Sequence, residues 1–501
     1  MIQALHVMVN RLAVPVAALA LLVLIGRESA RLLGEYALVM SFYYIMQTLP
    51  LLGLTGFVLR EVARRPDAAR AWFTTIGLLA VAACAAIGLM AEAVLALVGY
   101  DPALAGAIRI VAASIVPGIL VFLAELILIG LGRAGAVGWM AVAENAARLL
   151  ASAWVLQVGG GIEALIWVLF AGRMAAFLIY LGLLVRLGLP PAGRVPDPAI
   201  LRATWAVLPA FLSAGTLTVI AARADFIALS VAAPIEQVGY YGIAYRAFEI
   251  GMLAAAAVQT SLFPGLARAW PQRGDGPCAA FAAQAQRAAF AAQARRILSL
   301  LLGVALCAAL IGAGWAPVAI GWVFPLEYPH PNLAAQLFCL LLVPGLVDQF
   351  LGGLLTAADR QARDARALAW GAVALLAGLV VLVPPLHLTG AWLAMLLGVS
   401  VQGAIRLGAV HALIGPLIPA REARRWLAAV LPVAGLAVAG LAVAGLAGLA
   451  ATAGELAGAL WLTLLGGVVL PAALLLGGAV PAATLRGLLR REKPVDSRCA
   501  S

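Results

Sequence analysis

The sequence predicts an all-α polytopic membrane protein with about 14 transmembrane helices, and three observations predict it. Hydrophobic residues make up 64% of the chain and charged residues 11%, a composition too apolar to keep the surface of a water-soluble protein wet. Apolar stretches of the roughly 20 residues that a helix needs to cross a bilayer recur from Leu12 to Leu485, with almost no room for a soluble domain between them. Basic residues then fall on alternate connections, as the positive-inside rule requires of a chain that crosses repeatedly.

In chain order, the first six expected spans cover about 12–26, 36–59, 72–99, 104–131, 135–158 and 162–187. Six more cover about 202–231, 238–266, 297–323, 332–357, 367–385 and 388–414, and a last pair about 426–450 and 455–485. With the N-terminus placed in the cytoplasm, 25 of the 33 basic residues fall on that side, among them Arg60, Arg64, Arg65, Arg133, Arg186, Arg268, Arg296, Arg360, Arg425 and Arg491. The opposite connections keep Arg27, Arg31 and Arg109 and otherwise carry acids such as Glu28, Glu35, Asp101 and Glu236. Both termini are therefore expected in the cytoplasm, and the first apolar stretch reads as a spanning helix rather than a cleavable signal, because no small-residue cleavage site follows it.

The formal charge of +11 would suggest nucleic acid in a soluble chain, but the position of most of that charge on short membrane loops removes that partner. Cys84, Cys278, Cys307, Cys339 and Cys499 are scattered through mostly apolar sequence without disulfide or zinc spacing, so they read as packing residues. His6, His330, His387 and His411 are ungrouped, so no metal site is expected. Trp72, Tyr100 and Trp426, near span ends, read as interfacial anchors. The connection at about 268–296 carries Ala280-Phe-Ala-Ala-Gln-Ala and again Ala289-Phe-Ala-Ala-Gln-Ala. That helical pattern suits either a segment lying on the anionic inner leaflet or a solvated linker.

An internal repeat organises the spans. The second begins Gly34-Glu-Tyr-Ala-Leu and ends at Ala63-Arg64; the eighth begins Gly239-Tyr-Tyr-Gly-Ile-Ala-Tyr and ends at Ala267-Arg268, so Gly and Arg are 30 and 29 residues apart. Parallel repeats of this kind predict two pseudo-symmetric six-helix lobes, 1–190 and 200–415, around a central cavity. Two additional helices (420–485) and a cytoplasmic tail (486–501) follow. Prolines at Pro50, Pro117, Pro209, Pro264, Pro317 and Pro344 lie in or near the spans, where they kink helices.

Two stretches carry a family resemblance. One is Leu33-Gly-Glu-Tyr-Ala-Leu-Val-Met-Ser through Leu52-Gly-Leu to Arg60-Glu-Val-Ala-Arg64. The other comprises Arg223-Ala-Asp-Phe-Ile-Ala-Leu, Val238-Gly-Tyr-Tyr-Gly-Ile-Ala-Tyr-Arg246 and Pro264-Gly-Leu-Ala-Arg268. Together they resemble the oligosaccharide flippase (polysaccharide transporter) family of the multidrug, oligosaccharidyl-lipid and polysaccharide exporter superfamily, over about residues 10–420. The resemblance implies a non-enzymatic transporter of the bacterial inner membrane that flips undecaprenyl-diphosphate-linked oligosaccharide by alternating access. The product then enters O-antigen, capsule or exopolysaccharide synthesis. Implied partners are the lipid-linked substrate, membrane lipids, and the polysaccharide polymerase and chain-length proteins; no cofactor is implied beyond a coupling sodium ion or proton. An ion-coupled multidrug antiporter of the same superfamily and a non-transporting component of a polysaccharide machine remain open alternatives. A membrane-embedded enzyme is disfavoured, because no sizeable extramembrane loop carries paired acids or histidines.

Ionisable groups inside spans cost about 2.5–3.5 kcal/mol by insertion scales, so each marks a candidate site. Arg223 and Asp225 diverge by about 200° on one helix and need separate partners. Arg246 can pair with Glu249 at i,i+3, or with Asp225 across the hairpin. Glu144 and Arg148 stand at i,i+4 with Asn145 beside them, and Glu125, Arg173 and Arg406 complete the set. On the resemblance, Arg223, Arg246, Arg148, Arg173 and Arg11 are the expected diphosphate ligands, since guanidinium offers paired donors to phosphate oxygens. Structural ion pairing is the competing account for them. Asp225, Glu249 and Asp348 are the candidates for binding a coupling proton or sodium ion.

Overall fold

The computed structural model describes residues 17–51, 54–189, 196–246, 248–249, 251–252, 270, 277–324, 331–417, 419–446 and 451–476. Among the described residues the regular structure is entirely helical, as backbone polar groups facing lipid demand, because only intrahelical bonds satisfy them there. Among the same residues seven helices are long and apolar enough to cross a membrane, or eight if the bent pair Ala30–Leu51 and Leu54–Arg64 is one span. The chain is therefore a multi-pass membrane protein.

The chain divides into two compact units: Met1–Arg246 with Val323–Pro331 and Leu368–Gly398, and Ala247–Trp322 with Asn332–Ala367 and Val399–Ser501. Unit one begins with α1 (residues 17–28), which turns at Ser29 into α2 (Ala30–Thr48). The Ser29 hydroxyl accepts from the Leu32 amide at 3.4 Å, capping α2. α3 (Leu54–Arg64), α4 (Ala69–Val98), α5 (Pro102–Gly130), α6 (Ala134–Gln157), α7 (Ile162–Arg186), α8 (Pro198–Ala232) and α9 (residues 235–246) follow. The α4–α5 turn is sharp because Gly99 takes a left-handed φ of 70° and Pro102 opens α5. Arg31 pairs with Glu35 at 2.9 Å and reaches Asp101 at 3.7 Å, so the start of α2 and the α4–α5 turn share one end, here the tip end. Arg64, Arg133 and Arg186 mark the opposite, arginine end.

α5 is deeply enclosed in this unit, with Ile108, Val111, Ile115, Leu123, Ile127 and Leu128 fully buried. It packs on α2, α4 and α7. The two glycines that anchor the sequence repeat meet each other. A Cβ built on Gly34 would collide with the Ile235 carbonyl oxygen, and one on Gly239 would lie 2.9 Å from the Gly34 nitrogen and 3.0 Å from the Ala30 oxygen. α2 and α9 thus cross backbone to backbone at the tip end, an approach that only small residues permit.

In unit two, α10 (Pro277–Val323) runs as one long helix. The segment expected as a separate connection at 277–296 is its extension: Phe290 and Ala294 pack with Leu298, Phe350, Leu354, Leu355 and Val410. Its alanines and glutamines favour helix continuation, and its Phe supplies the buried face. α11 (Pro331–Ala357) follows, then α12 (Gln361–Ile414), whose two ends belong to unit two and whose middle belongs to unit one. α12 folds back on itself at His387 (φ 48°, ψ −122°). Gly378 faces Ala394, and Gly398 faces Leu375 and Gly371, so its two arms form an antiparallel hairpin. The turn lies between the two spans expected at 367–385 and 388–414. α13 (Ala420–Leu446) and α14 (Ala451–Leu464) close the described chain, with a π-helical segment Leu465–Val469 leading into α15 (Leu470–Leu476). They dock on α10: Trp315 donates to the Thr463 hydroxyl at 2.7 Å, and a Cβ at Gly466 would lie 3.0 Å from the Cys307 oxygen.

Cys84 and Cys339 are buried and Cys307 half-buried, with no disulfide among the described residues, in keeping with packing roles. Trp72 and Trp426, expected as interfacial anchors, are instead buried at 6% and 8% exposure, because each ring fills a helix junction: Phe57 meets Trp72 edge-on, and Leu462 and Leu465 surround Trp426. Tyr100 does carry its hydroxyl to a polar partner, Ser230, at 2.8 Å.

Candidate functional site

In unit one, four arginines and three acids lie within the apolar stretches of α5 to α9: Arg148, Arg173, Arg223 and Arg246 against Glu125, Glu144 and Asp225. Their positions follow from helix geometry. Glu144, Asn145 and Arg148 share one face of α6 at i, i+1 and i+4, and α7 brings Arg173 opposite them.

Arg173 is the hub of the first group. Its Nη1 lies 3.0 Å from Glu144 Oε1, and its Nε donates to the Tyr43 hydroxyl at 3.0 Å. Further along α7, the Tyr180 hydroxyl donates to Glu125 at 3.0 Å. Glu144 therefore pairs across the helices with Arg173 rather than along α6 with Arg148, which corrects the i,i+4 expectation. A tertiary partner prevails here because Arg173 offers Glu144 a salt bridge while Tyr43 fixes its other edge. Arg148 instead donates to the Asn145 side-chain oxygen at 2.8 Å, and Asn145 in turn donates to the Ala141 carbonyl at 2.8 Å. Among the described residues no carboxylate forms an ion pair with Arg148.

The second group surrounds Arg223. Its guanidinium carbon lies 4.8 Å from the ring centroid of Tyr44 on α2, 4.8 Å from Tyr245 on α9 and 5.6 Å from Phe226. Asp225, 3% exposed, points away as the 100° helical step requires. Its carboxylate accepts from the Tyr241 hydroxyl at 2.7 Å and from the Phe226 amide at 2.9 Å. The Asp225 to Arg246 contact weighed from the sequence is thus replaced by a tyrosine, whose hydroxyl reaches the acid from the facing turn of α9.

Glu249 is half-buried, and Asp348 belongs to a network in unit two. There Arg406 Nη1 meets Asp348 Oδ2 at 2.5 Å, Arg406 Nε meets Asp364 Oδ1 at 2.7 Å, and Gln402 donates to Asp348 at 2.6 Å. Asp348 Oδ1 is buried and has no hydrogen-bond partner among the described residues. Arg11 lies outside the described residues. Among those described, no group of three His, Cys, Asp or Glu side chains is arranged to hold a metal ion.

Sequence reasoning passed over Tyr43, Tyr44, Tyr241 and Tyr245. The signal was there: phenol hydroxyls in mid-span sequence need polar partners, and Tyr240-Tyr241 directly follow Gly239 of the repeat.

Residues 5–270 match the family described as polysaccharide biosynthesis protein. No curated protein sequence matches the chain. Among solved structures, the lipid II flippase MurJ in an inward closed conformation superposes with TM-score 0.71 at 12% identity, over 97% of this chain and all of that one. An inward-facing multidrug resistance MATE family transporter of the MOP superfamily gives 0.60 at 13% identity, over 82% and 98%. The MATE multidrug transporter DinF-BH gives 0.55 at 15%, over 82% and 95%. At these identities the likeness is one of fold.

Proposed function

This chain belongs to the polysaccharide biosynthesis protein family, and on that footing we propose that it is a flippase carrying undecaprenyl-diphosphate-linked oligosaccharide across the bacterial inner membrane for surface polysaccharide synthesis. The observation that carries the reading is Arg148: a guanidinium within the apolar sequence of α6, hydrogen-bonded to a neutral amide and accompanied by no paired carboxylate among the described residues. A cation held this way keeps its charge for a ligand, and a lipid diphosphate supplies paired oxygens that suit guanidinium. Arg246, a polar exception at the end of α9, joins it as a proposed ligand. Arg173 and Arg223, with Arg11, complete the proposed diphosphate ligands.

In this reading the arginine end faces the cytoplasm, with both termini, and the tip end faces the periplasm. Two six-helix lobes, 1–190 and 200–415, tilt past each other, and the Gly34–Gly239 crossing is where they part on the outer side. Asp225, Glu249 and Asp348 are the proposed coupling carboxylates. At Asp348 the buried Oδ1 lacking a donor among the described residues offers a place for a proton or sodium ion. Polymerase and chain-length proteins would receive the product outside.

The test is reconstitution into liposomes with an undecaprenyl-diphosphate oligosaccharide, followed by its loss of accessibility from one leaflet. The wild-type chain accelerates that loss and Arg148→Ala does not. Equal rates in empty and loaded vesicles would sink the proposal.

A further inference from the structure

Arg223 is held by rings from two sources. Tyr245 is fixed within the α8–α9 hairpin: it stacks on Tyr241 at 6.3 Å and 28°, and meets Phe226 edge-on at 5.4 Å. Tyr241 is itself tied to Asp225 on α8. Tyr44 comes from α2, the helix that crosses α9 at Gly34 and Gly239. It stands ten residues beyond Gly34, roughly 15 Å further along α2, and is 40% exposed. Parting α2 from α9 at the crossing therefore breaks the Tyr44 contact with Arg223 and leaves the Tyr245 contact whole.

A guanidinium on a ring face is attracted by the ring quadrupole, but phosphate oxygens compete for the same group with charge-assisted, paired hydrogen bonds that are stronger. We propose that Tyr44 and Arg223 form a clamp that keeps α2 against the α8–α9 hairpin roughly 15 Å inward of the Gly34–Gly239 crossing, and that a lipid diphosphate releases it by drawing Arg223 off the Tyr44 ring. Tyr44 is then a positioning residue, acting through Arg223 on the opening step. The identity of the releasing ligand rests on the diphosphate reading; the clamp itself does not.

The experiment measures the distance between spin labels at Leu97 and Val231, exposed positions at the tip ends of α4 and α8, in the full chain with its five cysteines replaced, in lipid nanodiscs. Without ligand, wild type and Tyr44→Phe give one short distance, because both keep the ring. Tyr44→Leu raises the ratio of long to short distances about tenfold, which corresponds to about 1.4 kcal/mol, and Tyr44→Gln does the same. Undecaprenyl diphosphate then moves wild type and Tyr44→Phe to the long distance. Ligand-free distributions for Tyr44→Leu and Tyr44→Gln that match wild type overturn the clamp, whatever the ligand does. A wild type that ignores undecaprenyl diphosphate, while Tyr44→Leu opens without it, supports the clamp and overturns the diphosphate as its release.

Discussion

Arg406 and Arg148 are both guanidinium groups set in apolar helical sequence, and the protein holds them in opposite ways. Arg406, 5% exposed, is met by two carboxylates and a carbonyl, and its guanidinium lies over Gly352, where a Cβ would come within 3.0 Å of Cζ. Arg148 has an amide for a partner and, among the described residues, no paired acid. The contrast teaches that a buried arginine is not by itself a binding residue. What separates a structural cation from one available to an anion is the number of carboxylates the surrounding helices bring to it, because a locally neutralised charge has little left to offer a ligand.

The largest effect that should break this comparison is Arg406→Ala. It leaves buried Asp348 and half-buried Asp364 without their cation, a loss of about 3–5 kcal/mol for a broken buried pair. Folded protein recovered from membranes should fall sharply, as read by fluorescence-detected gel filtration after heating. Arg148→Ala should leave that profile near wild type, and a comparable loss in both variants would dissolve the distinction. Next comes Arg173→Ala, the intermediate case, since Arg173 serves both Glu144 and Tyr43. It should cost roughly 1–3 kcal/mol by leaving a charged hydrogen-bond partner unsatisfied. Adding Glu144→Gln should recover stability but not transport, a non-additivity that a double-mutant cycle measures.

Gly352→Ala should act more weakly, displacing the Arg406 guanidinium at a cost of about 1–2 kcal/mol while diphosphate binding stays unchanged. The smallest effect is expected at the exposed pair Arg109 and Glu92, which meet at 2.9 Å with both side chains about half exposed. Replacing both by Gln should change neither melting nor transport.

Much of the helix pattern was legible in the sequence, because apolar length and loop charge act locally. The positions of α4 to α7 follow from them, as does the break near His387, where Pro384 and Pro385 interrupt a long apolar run. Gly34 and Gly239 were visible as repeat landmarks, but that they touch is a long-range fact no spacing encodes. The arginines and acids stood out as polar exceptions, yet their partners did not. Glu144 had a local candidate in Arg148 and took Arg173 from another helix, and Asp225 took a tyrosine that hydropathy treats as unremarkable. Local rules rank neighbours along a helix, whereas packing of α6 on α7 and α8 on α9 decides which of them meet.

The central claim is that guanidinium groups of the α6 and α9 region bind a lipid diphosphate, and competition binding tests it most directly. Purified wild-type chain should bind undecaprenyl diphosphate, with undecaprenyl monophosphate competing more weakly and undecaprenol hardly at all. Arg148→Gln should weaken diphosphate binding by about 10- to 100-fold, the range for a lost charged hydrogen bond, without weakening undecaprenol. Equal competition by undecaprenol, or an Arg148→Gln variant that binds diphosphate as wild type does, would contradict the account.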